Sequence, residues 1–269
     1  MQLKYLAYLL LFLFCLSPSP PAGASPGSFL QDVQEVTLDN GMKFLLLRRE
    51  GAPVFTAYIR VKVGGLDEKA GQTGIAHLLE HMAFKGTSQI GTKDYAKEKV
   101  VLAKIEELQL QKRKARGQAR ENLAKQISQL LEEAGEYVIK EEFSKIYQRN
   151  GASGLNATTS QDLTSYFVTL PSNKLRLWAY LESNRLQNPV FREFYSERDV
   201  VGEERRTRVD DSPFGKLYEA FIRLSFNSSP YRRPTIGYQA DIEKLTATQL
   251  EEFYRRYYVP SNMVGAIVG

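Results

Sequence analysis

The sequence predicts an α+β fold: a mixed, mainly antiparallel sheet with helices packed on one face, plus an inserted, charged helical arm. Three observations predict it. Short apolar or alternating runs around Val36, Phe55, Tyr166 and Ile267 have strand character. Two early hairpin-like segments are followed by a run of helical patterns, not by strict strand–helix alternation. Between them, residues 94–149 are rich in Lys, Glu, Gln, Leu and Ala, contain no proline, and are broken only by Gly117 and Gly135.

The chain of 269 residues opens on an export signal. Lys4 is the one charged side chain before residue 25, and the apolar run Leu6–Phe14 is too short to span a bilayer. Ser17-Pro18-Ser19-Pro20-Pro21 breaks the helix, and Ala22-Gly23-Ala24 supplies a small-x-small cleavage site. Residues 1–24 are therefore expected to be removed, leaving 25–269 as the domain, in the periplasm or outside the cell. Cys15, the single cysteine, lies in the signal, so the mature chain has no disulfide, thiolate metal site or cysteine nucleophile. After cleavage no stretch is long enough for a stable membrane insertion. Hydrophobic residues make up 43% and charged residues 25%, as in ordinary soluble domains. The net charge of +5 is mixed along most of the chain, and no nucleic-acid motif accompanies it, which argues against nucleic acid as a partner.

The elements follow in order. Residues 33–49 form a hairpin across Asp39-Asn40-Gly41, because Asn-Gly accepts the positive φ angles of a tight turn. Residues 54–63 alternate Phe55, Ala57, Ile59 and Val61 and end at Gly64-Gly65. Residues 74–84 form a helix closed by Gly86. Residues 94–149 form long solvated helices, a hairpin turning near Gly117. Two strands, 155–159 and 165–170, are joined through Gln161-Asp162, and Pro171 ends the second. Helices follow over 174–186 and 191–209, then one from Pro213 with Leu217, Tyr218, Ala220, Phe221 and Leu224 turned inward. The last, 247–257, is capped by Thr246 with Gln249 three residues on. Met263–Gly269 is an apolar strand.

The chemistry-bearing motif is His77-Leu78-Leu79-Glu80-His81. Residues four apart share a helix face, so both imidazoles can address one ion. Imidazole suits zinc, and a catalytic zinc takes three protein ligands and leaves one position open. Glu80 flanks that face and can act as a general base. The chain has two histidines, and both are here. The order His-x-x-Glu-His reverses the commoner zinc motif and marks the inverzincins.

With Asn40-Gly41, Gly64-Gly65, Phe84-Lys85-Gly86-Thr87, Asn156–Ser160, Glu197–Val201, Pro230-Tyr231 and Gly237, the chain from about residue 33 to 269 resembles the M16 metallopeptidases. The resemblance implies a third zinc ligand, a Glu on a later helix. Glu203 and Glu204 are adjacent candidates. The family pattern has a supporting Glu and a ligand Glu seven apart; Glu197 and Glu204 have this spacing and share a face. Glu204 is therefore expected as ligand, and Glu197 as the supporting residue that orients a histidine or tunes the charge of the site. The resemblance further implies a peptide substrate, added as a strand along Asn156 and Ala157. It implies one zinc per chain and a second M16-like domain or subunit that carries an Arg and a Tyr for the intermediate. Residues 94–149 lengthen the interval from His81 to Glu204 beyond the family's usual one, as an insertion would. The end at Gly269 matches the end of the family's first domain, so the chain is expected to be a fragment or to pair with another polypeptide. The alternative is a non-catalytic partner subunit, a class that typically loses the motif present here.

Overall fold

The computed structural model describes residues 31–269, so the expected leader lies outside the described residues. The two opening strands, β1 (Gln34–Thr37) and β2 (Lys43–Leu47), form the antiparallel hairpin expected from Asn40-Gly41. Four more strands follow: β3 (Val54–Val61), β4 (Ser153–Thr159), β5 (Thr164–Pro171) and β6 (Met263–Val268). The sheet order is β1-β2-β6-β3-β5-β4. Among the described strands only the β2–β6 pair is parallel, so the last strand inserts between two early ones.

Period-two patterning decides which face is covered. On β3, Phe55, Ala57, Ile59 and Val61 are buried, and Tyr166, Val168 and Leu170 continue that face on β5. The helices pack there. Among the described residues there are nine α-helices: α1 (Ile75–Met82), α2 (Tyr95–Lys114), α3 (Gly117–Tyr137), α4 (Glu142–Arg149), α5 (Leu175–Gln187), α6 (Phe194–Arg205), α7 (Pro213–Ser225), α8 (Gln239–Ile242) and α9 (Ala247–Tyr257). Helix α1 lies deepest, with Ile75, Leu78 and Met82 fully buried against the sheet. Thr246 and Gln249 form the expected reciprocal cap of α9. No helix among the described residues is long and apolar enough to cross a membrane.

Two expectations change. The charged stretch does turn as a hairpin beside Gly117, but it is not wholly solvated. Val101, Ile105, Leu108, Ile127 and Ala134 form a buried inner stripe, and Glu98 is 0% exposed. Its third helix, α4, places Phe143 and Tyr147 in the main core. The apolar stripe of α7 points outward, not inward. Phe214, Leu217, Tyr218, Phe221 and Leu224 are 75, 67, 58, 61 and 78% exposed. Periodicity defines a stripe but not what covers it. The other side of α7 packs on the π-turn Arg206–Asp210, where a Cβ at Gly215 would lie 2.2 Å from the Arg208 carbonyl oxygen.

Candidate metal centre

Both ends of α1 are held in place. At its start Gly74 has φ +89° and Gly237 has φ +88°, and the two glycines abut. A Cβ on Gly74 would meet the Ile236 carbonyl oxygen at 2.6 Å, and one on Gly237 would meet the Thr73 carbonyl oxygen at 2.4 Å. Only glycine tolerates both the positive φ and this approach. Glu68 accepts from the Gly74 and Ala76 amides, each at 3.0 Å, and satisfies donors that the first helical turn leaves free. Burial pushes its carboxyl up to about 8, although those amides pull it down. Asp241 of α8 ties in Thr73 through a 2.7 Å hydrogen bond.

At the far end, the loop from Lys85 to Ile90 wraps around the Arg192 guanidinium, which is 1% exposed. Arg192 donates to the Lys85, Thr87 and Ile90 carbonyls at 2.6, 2.7 and 3.1 Å. It completes its five donors with a bidentate pair to Glu98 at 2.8 and 3.1 Å. The loop after the motif and the first turn of α2 are thus joined by one buried side chain.

The helix pair α1 and α6 brings three donors together. One ligand atom from each of His77, His81 and Glu204 lies within 4.8 Å of the others. His81 Nε2 is 3.4 Å from Glu204 Oε2, and His77 Nε2 is 3.8 Å from Glu204 Oε1. Two atoms each about 2.0–2.2 Å from a tetrahedral zinc are roughly 3.4 Å apart, so spacing and donor chemistry both fit this ion. Glu203 turns the other way: its side chain is 64% exposed and pairs with Arg206. Glu204 is also gripped by Arg208 at 2.6 Å.

The two imidazoles differ electrostatically. Burial and the neighbouring His81 lower His77 to about 4, outweighing Glu204, so the ring is neutral and offers a lone pair. Burial would lower His81 too, but hydrogen bonds to Glu197 and Glu204 prevail and raise it to about 9 in the metal-free site. Glu197 Oε1 is 3.0 Å from His81 Nδ1. Despite its own burial, Glu197 is drawn down to about 2 by His81 and Lys85, whose Nζ is 2.6 Å away. The hydrogen bond to His81 holds Glu204 below the usual carboxylate range.

Glu80 stands on the open side. Thr159 Oγ1 donates to its Oε2 at 2.5 Å, while burial raises the carboxyl above its ordinary value. Thr159 ends β4, which pairs only with β5 and leaves its outer edge free among the described strands. Asn156 is exposed on that strand, and its Oδ1 accepts the Ala157 amide at 2.9 Å, with Ala157 itself buried. A groove of about 590 Å³ joins Glu80, His81 and Asn156 to Lys85, Glu193, Glu197 and the Val138–Gln148 segment. Glu141 and Glu193 on its rim have φ of 58° and 59°, unusual for residues with a Cβ.

Sequence reasoning passed over Lys85, Thr159, Arg192, Arg208 and Glu68. Only Lys85 and Thr159 lay inside quoted motifs, and no local pattern distinguishes the others from solvated charges.

The architecture and this residue grouping are those of an M16-type domain. Residues 43–100 match the family described as Insulinase (Peptidase family M16). The chain is 31% identical over 245 residues to the zinc protease PqqE of Helicobacter pylori, covering 90% of this chain and 44% of that protein. The crystal structure of a protease from Helicobacter pylori superposes with a TM-score of 0.66 at 30% identity, over 88% of this chain and 46% of that one. The periplasmic protease PqqL of Escherichia coli shares the fold, with a TM-score of 0.62 at 23% identity over 89% of this chain and 22% of that one. The chain thus spans under half the length of these relatives. It belongs to the M16 insulinase family, as a domain like the N-terminal half of its zinc proteases.

Proposed function

We propose that the chain is the metal-bearing part of a zinc-dependent endopeptidase. The observation that carries this reading is the convergence of His77, His81 and Glu204 within 4.8 Å, beside Glu80 and a free strand edge. His77, His81 and Glu204 hold one zinc ion per chain. The ion, when bound, supplies Lewis acidity that polarises a peptide carbonyl and acidifies water.

The protein's own groups do the rest. Glu197 accepts from His81 Nδ1–H, which fixes the ring with Nε2 toward the metal position. Thr159 occupies Glu80 Oε2, leaving Oε1 to take the proton from water and pass it to the leaving amine. The edge of β4 at Asn156 and Ala157 receives the peptide as an added strand, so that binding rests on backbone pairing. Residues 1–24 direct export, in keeping with the periplasmic PqqL relative. Residues 94–149 are an insertion that builds one wall of the groove.

A second M16-like domain, in the same or another polypeptide, completes the site. The outward stripe of α7 is its docking face: each of its five large side chains would contribute about 2 kcal/mol on burial. A Leu217→Glu/Phe221→Glu variant should stay folded and lose association with a co-expressed second domain.

The test of the metal reading is elemental analysis of the chain together with cleavage of an unstructured peptide in the presence of the second M16-like domain. Wild type should hold one zinc. Glu80→Gln should keep the zinc and lose turnover, and His77→Ala should lose both. A zinc-free wild-type chain purified without chelator, or a Glu80→Gln protein as active as wild type, would overturn the reading. Retained zinc without turnover in the wild type would favour a non-catalytic subunit.

A further inference from the structure

The tip of the α2–α3 hairpin carries a cluster of charge that the proposed chemistry does not use. Lys112, Arg113, Lys114, Arg116 and Arg120 fall within nine positions, and no acidic residue occurs between Glu107 and Glu121. None of the five has an ion-pair partner among the described residues, whereas Lys104 nearby is paired with Glu107 at 2.8 Å. All are exposed except Lys112, which is half-exposed. The helix α2 of 20 residues carries them about 30 Å from its start near the core.

Part of the cluster has a structural role. Lys112, Arg113 and Lys114 lie in the last turn of α2, where cations complement the helix dipole. The rest runs against helix physics. Arg116 is the N-cap of α3, Arg120 lies one turn in, and the first turn of α3 has no acidic residue. Positive charge at a helix N-terminus is unfavourable, so these residues weaken the helix they begin. Stability does not explain them.

We propose that this tip is an anionic membrane-binding element that orients the domain on a lipid surface. The shape favours a membrane over an acidic protein. The tip is the turn of a helical hairpin, where a Cβ on Gly117 would meet nothing within 4 Å, and it lacks the cluster of exposed apolar side chains that a protein interface needs: between residues 101 and 174 the one exposed large hydrophobic is Leu110, at 38%. Clusters of four to eight Lys and Arg side chains are attracted to anionic lipid by about 1 kcal/mol per cation, and the attraction falls off within a Debye length.

The full chain is tested by co-sedimentation with vesicles of phosphatidylcholine alone or containing 30% phosphatidylglycerol. The quantity read is the ratio of the two partition coefficients, in which any binding by the apolar run Leu6–Phe14 is common to both. Binding should favour the anionic vesicles and fade as salt rises from 50 to 500 mM. Each neutralised cation should lower the ratio about fivefold. An Arg113→Gln/Lys114→Gln/Arg116→Gln variant should therefore lose about a hundredfold, with unchanged melting temperature and zinc content. An Arg48→Gln/Lys62→Gln/Lys69→Gln control removes the same charge elsewhere and should retain most of the preference. Equal loss in the control, or no lipid preference in the wild type, overturns the proposal. So does tip-dependent binding to soluble poly-glutamate with no vesicle preference. Zinc content is read independently, so neither outcome bears on the peptidase reading.

Discussion

Replacing Arg192 with Met should destabilise the chain more than any change at its surface. The substitution keeps the aliphatic stem and removes a guanidinium that is 1% exposed. It strands the Glu98 carboxylate, which is 0% exposed, and deprives the Lys85 and Thr87 carbonyls of the donor they share in Arg192, while the Ile90 carbonyl keeps the Thr87 amide at 2.8 Å. Removing one partner of a buried ion pair costs roughly 3–5 kcal/mol. Each buried acceptor left unmade costs about 1 kcal/mol or more where water cannot enter. The sum, allowing for relaxation, is about 5 kcal/mol. In a domain of this size that lowers the melting temperature by roughly 10–20 °C. Denaturant unfolding of metal-free protein measures the loss. A companion Glu98→Leu/Arg192→Met variant removes both charges and should recover about 2 kcal/mol, since only the carbonyls remain unpaired. If Arg192→Met does not fold, Arg192→Lys keeps the charge, loses the fork, and should fall between. A loss below about 1 kcal/mol, or strict additivity with Glu98→Leu, would refute the claim that one guanidinium joins the loop after α1 to α2.

Three further outcomes are expected. Glu197→Gln should weaken zinc affinity about 10–100-fold, measured by competition with a chelating dye, because the support of His81 is lost. The metal-free protein should lose stability as pH rises from 6.5 to 9: the raised His81 pKa of about 9 contributes fully below 6.5 and vanishes as the folded protein deprotonates. Zinc-loaded protein should lack this fall, and apparent zinc affinity should rise about tenfold per pH unit over the same window; a flat profile in metal-free melts would contradict the assignment. Thr159→Val removes the hydrogen bond that lowers Glu80, so the acidic limb of kcat/KM for the completed enzyme should move to higher pH.

Much of the site could be read before any coordinates because its key spacing is local. His77, Glu80 and His81 lie within five positions on one helix, and a helix converts that spacing into a shared face. The adjacent pair Glu203 and Glu204 points in opposite directions for the same reason: successive helical residues are about 100° apart. The strands on either side of Asn40-Gly41, and the cap at Thr246, were legible because turn and cap chemistry are also local. The charged stretch misled in part. A residue such as Glu98 looks solvated until its partner, Arg192, arrives from 94 positions away. The stripe on α7 misled for the opposite reason: its pattern is that of a buried helix, yet nothing among the described residues covers it.

From the sequence alone came the α+β class and the helix carrying two imidazoles and Glu80, consequences of short-range helix and strand geometry, while the family resemblance singled out the later carboxylates of Glu197 and Glu204. Only the tertiary structure decided that β6 inserts between β2 and β3 and that Gly237 abuts Gly74. It alone set Thr159 against Glu80, and Glu197 between His81 and Lys85. Those pairings depend on how distant segments pack, and side-chain periodicity along one element does not specify the partner it meets.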